Sequence, residues 1–223
     1  MFSKINEMSS CSDGPTSAMM GKTITVGVKE RDVWKIALFK KLWLVMVMFV
    51  AMTGIAQSVE IKGVHFSDTL IVEQAELKLN GVAVLKWAML FDVYAGALYL
   101  PAGVRGQAWS NDVAKRLELS YFRKIEAKGF AEASDKILKG NLLPTEYQTL
   151  AKRLKIFYGF FRDVKPGDRY SINYIPEKGT ELRLNEQALG QVPGADFAAA
   201  YFGIWLGAEP ISKDFRNILL QSD

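Results

Sequence analysis

Hydrophobic and polar residues alternate along several segments after residue 58, and a period of two predicts β-strands. We predict strands over residues 59–66, which open the sheet, and over 75–79, 117–122, 168–175, 180–184 and 189–192. Asn80 and Gly81 are typical of a turn or a β-bulge, and Gly179 indicates a hairpin turn. Residues 88–100 are apolar at odd and even positions alike. They predict a long central strand that is covered on both faces.

A helical repeat of apolar residues predicts helices between and after these strands. One amphipathic helix is predicted over residues 130–138, a second with Thr145 as its N-cap, and a short helical connection over residues 109–114. Ser212 caps the last predicted helix. The helix before it carries four large residues that we expect in the core: Phe197, Tyr201, Ile204 and Trp205. The pattern predicts an α+β fold, with a large antiparallel sheet and helices packed on one face.

The N-terminal part of the chain has the pattern of a targeting segment. Lys35, Lys40 and Lys41 precede residues 42–56, which carry no charge and end in small residues. A basic flank and about 15 apolar residues are typical of a secretory signal peptide, whereas a retained membrane anchor usually needs about 20. We therefore divide the chain into an N-terminal extension (1–34), a signal peptide (35–58) and one domain (59–223). We expect this domain to be periplasmic or secreted.

Composition excludes several classes of function for the predicted domain. The chain has 28 Lys and Arg residues against 24 Asp and Glu, but seven of the basic and four of the acidic ones lie in residues 1–58. The remainder is almost neutral, so we expect no nucleic-acid binding, and membrane contact only through the signal segment. Cys11 is the only cysteine and His65 the only histidine, which excludes the usual catalytic triads and metal sites. We predict no metal and no cofactor.

Two charged residues and a tyrosine accompany the apolar run of the predicted central strand. Lys86, Asp92 and Tyr94 lie at even positions and therefore on one alternating face. A charge on a covered strand is costly unless it is paired or lines a cavity. Lys86 and Asp92 would lie roughly 20 Å apart on one extended strand, so each needs its own partner. We take these three residues as the candidate binding site.

Three segments carry a resemblance to a known family: GVAVLKWAMLFDVYAGALYLP, AEASDKIL and GADFAAAYFGIWLGAEPISKDFRNILL. They resemble the bacterial chalcone isomerase-like family, over nearly the whole predicted domain. The resemblance implies an α+β fold with a large antiparallel sheet, helices packed against it and a cleft between them. Plant members of this family cyclise chalcones to flavanones, and other members bind fatty acids in the same cleft.

The residues at the family's catalytic positions differ from the family pattern. Lys86 stands where the family has an arginine that holds the ligand's oxygen, and lysine keeps the charge without the planar fork. Residues 88–91 offer no hydroxyl in place of the family's threonine, and Phe130 stands in place of its tyrosine. The resemblance therefore implies the scaffold without the cyclisation chemistry.

Three hypotheses about function remain open at this point. The first is a non-catalytic protein that binds an apolar ligand with an acidic head, such as a fatty acid, through Lys86, Tyr94 and Asp92. The alternative is an isomerase or intramolecular lyase that uses the same residues on a small carbonyl substrate. In the third, these residues have only a structural or partner-interaction role. We expect the first.

Overall fold

A large antiparallel sheet forms the framework of the protein. The computed structural model describes residues 58–87 and 90–221, so the predicted N-terminal extension, residues 35–57 of the predicted signal peptide, Ala88 and Met89 lie outside the described residues. Seven strands follow one another across the sheet in chain order, each antiparallel to its neighbours. They are β3 (Thr69–Val72), β4 (Ala75–Trp87), β5 (Phe91–Pro101), β6 (Lys115–Tyr121), β7 (Arg169–Ile175), β8 (Gly179–Leu184) and β9 (Gln187–Val192).

The segment predicted to open this sheet folds into a separate hairpin. β1 (Ser58–Ile61) and β2 (Val64–Ser67) pair only with each other in a two-stranded sheet among the described residues. Lys62 and Gly63 join them with positive φ values of 53° and 76°, which suits a tight hairpin turn. The prediction of one strand over residues 59–66 was wrong because it ignored the turn at Lys62 and Gly63, where the hydrophobic positions shift from odd to even numbers.

Four helices pack against one face of the sheet in the described part of the chain. They are α1 (Ala127–Asn141), α2 (Pro144–Tyr158), α3 (Ala195–Leu206) and α4 (Lys213–Leu220), and a 3-10 turn spans Gly106–Ala108. The Ser212 hydroxyl caps α4 by accepting a hydrogen bond from the Phe215 N–H at 3.3 Å, as predicted. The prediction of Thr145 as an N-cap was wrong, because α2 begins at Pro144 and Leu143 is its N-cap. None of the described helices is both long and apolar enough to span a membrane.

The predicted central strand over residues 88–100 is the second arm of a hairpin. β4 ends at Trp87 and β5 begins at Phe91, and the Leu90 N–H donates to the Trp87 carbonyl at 3.2 Å. The prediction began the strand too early because no Gly, Pro, Asn or Asp interrupts the apolar run between the two strands. The hairpin places Lys86 and Asp92 opposite each other in the strand register. The expectation that Lys86 and Asp92 lie roughly 20 Å apart on one extended strand is therefore wrong.

A β-bulge at Asn80 and Gly81 gives β4 its close contact with α4, as the sequence allowed. The register with β5 shifts between Leu79 and Gly81, and the Asn80 side-chain amide donates to the Leu219 carbonyl at 2.6 Å. A Cβ at position 81 would lie 2.6 Å from the Ile218 carbonyl oxygen. Only glycine lets the helix lie this close to the strand.

The core has two parts, one on each face of the sheet. The helix-covered inner face contains the larger cluster, to which Leu98, Leu117 and Tyr170 contribute from three strands. On the outer face, Phe66 of the β1–β2 hairpin is completely buried beside Ala97 and Tyr99 of β5. The predicted core positions Phe197, Tyr201, Ile204 and Trp205 are all buried, which confirms that prediction. The α+β architecture with helices on one face is likewise confirmed.

Charged side chains are buried on both faces of β6. On the outer face, the Glu118 carboxylate is only 4% exposed and accepts from the Arg116 Nε at 2.8 Å and the Arg169 Nη1 at 2.9 Å. On the inner face, the Lys115 ammonium donates to the Asn111 carbonyl at 2.8 Å and lies 4.6 Å from the centre of the Tyr174 ring. Burial lowers the pKa of Lys115 to about 8.

Candidate functional site

An apolar cavity lies between the inner face of the sheet and two of the helices. Its volume is about 230 Å³. The walls come from the ends of β4, β5 and β6, from α1 and from α3, so the packing of helices on the sheet creates the space. Most of its lining is aliphatic or aromatic, including Leu85, Leu119, Phe130, Ile137 and Ile204. An apolar cavity with a few polar groups is typical of a small-molecule site.

An irregularity in the β4–β5 hairpin shapes this cavity. Leu85 pairs with Tyr94 but the next residue, Lys86, pairs with Asp92, so Val93 is an extra residue on β5. Such bulges redirect side chains and are common beside functional sites. The consecutive residues Val93 and Tyr94 both line the cavity.

Tyr94 places a phenol in the wall of the cavity. Its side chain is buried, and its hydroxyl accepts a hydrogen bond from the Trp205 Nε1–H at 2.9 Å. No described residue accepts the proton of the Tyr94 hydroxyl. Burial raises the pKa of Tyr94, and the Trp205 hydrogen bond opposes that shift only in part. The phenol therefore stays neutral and can donate to a ligand.

Tyr121 places a second phenol in the same wall. It lies on β6 with its ring centroid 5.4 Å from that of Tyr94, and it packs edge-on against Phe130 at the same distance. Its hydroxyl makes no hydrogen bond with any residue in the described ranges. Burial, together with Tyr94 and other neighbouring tyrosines, raises its pKa well above the ordinary value. The cavity thus has two neutral phenol donors side by side.

Lys86 lies where the cavity opens to solvent. It contributes to the lining at the end of β4, next to Trp87, and its side chain is exposed. No carboxylate of the described residues lies within ion-pair distance of its ammonium. Ile211, which is 40% exposed, lines the same opening. A ligand in the cavity would meet a positive charge at the mouth and phenols in the wall.

Asp92 lies outside the cavity. Its carboxylate forms an ion pair with the Lys62 ammonium at 3.3 Å, and its carbonyl accepts from the Arg123 Nε at 3.1 Å. Lys86 and Tyr94 therefore line one cavity, whereas Asp92 makes contacts that stabilise the hairpin. The expectation that all three side chains lie on one face is wrong. The assignment of ligand contacts to these residues stays a prediction.

The described residues that line the cavity offer few groups for acid–base chemistry. Phe130 lines it and stacks on Phe161 with 5.2 Å between ring centroids, so it offers packing and no hydroxyl. None of the described lining residues is an Asp, Glu or His. His65 is exposed on β2, 3.7 Å from Glu60. Within residues 58–87 and 90–221, no group of three or more His, Cys, Asp or Glu residues could hold a metal ion.

A larger groove of about 510 Å³ lies between the 3-10 turn and the end of α4. Arg216 is the one charged residue in the part of the groove lining that the structure describes, and it already donates to the Gly207 and Ala208 carbonyls at 3.1 Å each. The rest of the Arg216 guanidinium donates to the Asn217 Oδ1, so the charge of the groove is committed to local contacts. The smaller inner cavity, with uncommitted donors and an apolar wall, is the better candidate site.

Sequence reasoning missed Tyr121, Trp205 and Ser134 as cavity residues. Tyr121 lies near the end of the predicted strand 117–122, on the same alternating face as Leu117 and Leu119. Its position on that face, together with the expected cleft between the sheet and the helices, could have identified it as a cavity residue. The Ser134 hydroxyl lies 3.2 Å from the Tyr201 hydroxyl, a contact between two helices that no local pattern shows.

Comparisons with known proteins agree with this geometry. A family model described as chalcone isomerase-like matches residues 58–221. Among solved structures, the chain is similar to a fatty-acid binding protein of Arabidopsis thaliana, with 16% sequence identity and a TM-score of 0.58. The similarity covers 74% of this chain and 96% of the Arabidopsis chain. A search of curated protein sequences finds no match.

Proposed function

The chain belongs to the chalcone isomerase-like family, and on that premise we propose that its domain binds, without transforming it, a small amphiphile with an apolar tail and a carboxylate head. The observation that carries the proposal is the pair of neutral phenols in an apolar wall, with Lys86 at the mouth. Phenol donors and an ammonium all favour an anionic oxygen, and hydrogen bonds to charged groups are stronger than neutral ones.

The size of the cavity supports a medium-length tail. An apolar cavity of about 150 Å³ takes benzene, with six carbons, so one of about 230 Å³ holds roughly nine. Burial of each methylene contributes about 0.8 kcal/mol. Decanoate has nine carbons beyond its carboxylate and is the probe of choice. The description of the Arabidopsis protein as fatty-acid binding supports this ligand class.

The lining argues against chemistry on the ligand. A general base must lie within hydrogen-bond reach of the proton that it removes. Among the described residues, the cavity wall contains no carboxylate or imidazole. Burial raises the pKa of both phenols, which makes them donors and poor bases. We therefore favour storage or transport of the ligand over isomerisation.

Titration calorimetry with decanoate tests the proposal on the full chain. Lys86→Met should weaken binding about tenfold or more, while the melting temperature changes little because Lys86 is exposed and unpaired among the described residues. Lys152→Met is the matched control, because it removes one exposed lysine from α2, which does not line the cavity. Methyl decanoate, which lacks the charge, should bind both variants alike. Unchanged decanoate affinity in Lys86→Met, with a sharp fall in melting temperature, would make Lys86 a structural residue.

We also propose that the domain acts outside the cytoplasm after removal of the segment that precedes it. The basic flank and the uncharged run over residues 42–56 support this location. N-terminal sequencing of the protein from the cell envelope should find a chain that begins near Gln57 or Val59. A mature chain that retains residues 42–56 would identify them as an anchor.

A further inference from the structure

The tip of the β4–β5 hairpin exposes an unusual set of apolar side chains. Trp87, Leu90 and Phe91 are 69%, 79% and 45% exposed, and the Trp87 and Phe91 rings stack with 6.4 Å between their centroids. We call these three residues the hairpin tip. Large aromatic side chains favour burial or an interface with lipid, and an exposed cluster of them indicates a binding surface.

Basic residues surround the hairpin tip. The Arg123 guanidinium lies 4.7 Å from the centre of the Phe91 ring and is tied to the hairpin by its hydrogen bond to the Asp92 carbonyl. Lys124 follows it in an exposed position, and Lys86 precedes Trp87. Asp92, the one carboxylate among the described residues from 82 to 101, is neutralised by its ion pair with Lys62. The tip is therefore apolar at its end and positive around its base.

From this arrangement we propose that the hairpin tip inserts into the interface of an anionic lipid bilayer. Basic residues near such a surface add roughly fivefold each to affinity, and Trp and Phe rings insert at the headgroup level. The three side chains expose roughly 400 Å² between them, since a large aromatic side chain has about 150–250 Å². A stable protein partner needs about 800 Å² on each side, whereas a bilayer requires no complementary shape.

The position of the hairpin tip beside the cavity mouth is a second reason to propose a bilayer and not a protein partner. Trp87 belongs both to the hairpin tip and to the lining of the cavity mouth, with Lys86 beside it. Insertion would bring that mouth against the membrane, where apolar ligands with acidic heads are concentrated. The proposal goes beyond ligand binding and does not depend on it, because bilayer contact is measured separately from decanoate affinity.

A fluorescent label at the tip tests the proposal on the full chain. Cys11, the only cysteine, is replaced by Ser, and an environment-sensitive dye is attached through Leu90→Cys. The matched control is Ile71→Cys on the edge strand β3, because Ile71 is 77% exposed. Vesicles of phosphatidylglycerol and phosphatidylcholine in equal parts should shift the emission of the Leu90 label to the blue, and leave the Ile71 label unchanged. This comparison removes any contribution from residues 42–56, which both labelled chains share.

Substitutions then separate lipid binding from ligand binding. Arg123→Gln with Lys124→Gln should weaken vesicle binding about 20-fold or more, at roughly fivefold for each charge. Neither residue lines the cavity, so decanoate affinity should be retained. An unshifted Leu90 label would overturn the proposal, as would an equal shift with pure phosphatidylcholine. A shift that depends on protein concentration without vesicles would also overturn it, in favour of contact with a second copy.

Discussion

The hydrogen bond between Tyr94 and Trp205 gives a prediction that separates structural from functional phenols. Tyr94→Phe removes the only described acceptor of the Trp205 Nε1–H, at 2.9 Å in a buried site. A buried donor left without a partner costs about 1–3 kcal/mol. Tyr121→Phe removes a hydroxyl that has no hydrogen-bond partner among the described residues, so the free energy of unfolding should change by less than about 0.5 kcal/mol. The two substitutions delete the same atom from neighbouring rings.

Urea titrations of both variants, followed by far-UV circular dichroism, measure this difference. With an m-value of about 2 kcal/mol/M, a loss of about 1–3 kcal/mol in Tyr94→Phe should lower the urea midpoint by about 0.5–1.5 M, and Tyr121→Phe should leave it nearly unchanged. Both variants should bind decanoate several-fold more weakly, since each loses a donor to the carboxylate. Equal losses of stability would refute the assignment of the two hydroxyls. Loss of stability without loss of affinity would remove the phenols from the binding site.

Three further predictions concern buried charges and the absence of catalysis. Glu118→Leu should lower the free energy of unfolding by about 3–5 kcal/mol, because it removes the buried carboxylate that pairs with Arg116 and Arg169. Arg116 keeps its ion pair with Glu186, whereas Arg169 is left without a carboxylate partner among the described residues. Glu209, whose side chain is 71% exposed, provides the control, since Glu209→Leu should change the free energy of unfolding by less than about 0.5 kcal/mol in the same urea titration. Burial lowers the pKa of Lys115 to about 8 in the folded protein. Between about pH 8 and 10 the unfolded chain therefore binds more protons than the folded one, so the free energy of unfolding should rise with pH until the tyrosines begin to ionise near 10. Lys115→Met should abolish that rise in urea titrations at about pH 7.5 and 9.5. The purified protein should not accelerate flavanone formation from a chalcone above the buffer rate, and measurable turnover would contradict the non-catalytic assignment.

Much of the fold could be predicted because local patterns and tertiary structure agree. The strands over 168–175 and 180–184 alternate cleanly and are joined by a glycine turn, and β7 and β8 match them closely. The helices with apolar stripes and the Ser212 cap likewise follow from local chemistry. The errors occur at two hairpin reversals. Between β4 and β5 an uninterrupted apolar run hides the turn. Between β1 and β2 the hydrophobic alternation shifts by one residue at Lys62 and Gly63, and the prediction of a single strand ignored that shift.

The site was less predictable because it depends on contacts between distant segments. Lys86 was identified through its resemblance to a family position, and Tyr94 through its place on an apolar strand. The structure places both at one cavity, but only after a hairpin and a bulge that the pattern does not show. Asp92 was expected on the same face as these two residues, but it pairs with Lys62 of a separate hairpin, a contact that no local pattern shows. Tyr121 is recognised as a cavity residue only from the packing of α1 against β6, which the sequence pattern does not show.

Quenching of a single tryptophan by brominated decanoate tests the central claim most directly. Trp205 lines the inner cavity, and Trp109 lines the larger groove near α4. Full-length chains in which either one is the only tryptophan, with the others replaced by Phe, report on the two places separately. We expect saturable quenching of Trp205, reversed by unlabelled decanoate, and little quenching of Trp109. Quenching of Trp109 with Trp205 unaffected, or no saturable quenching of either, would contradict it.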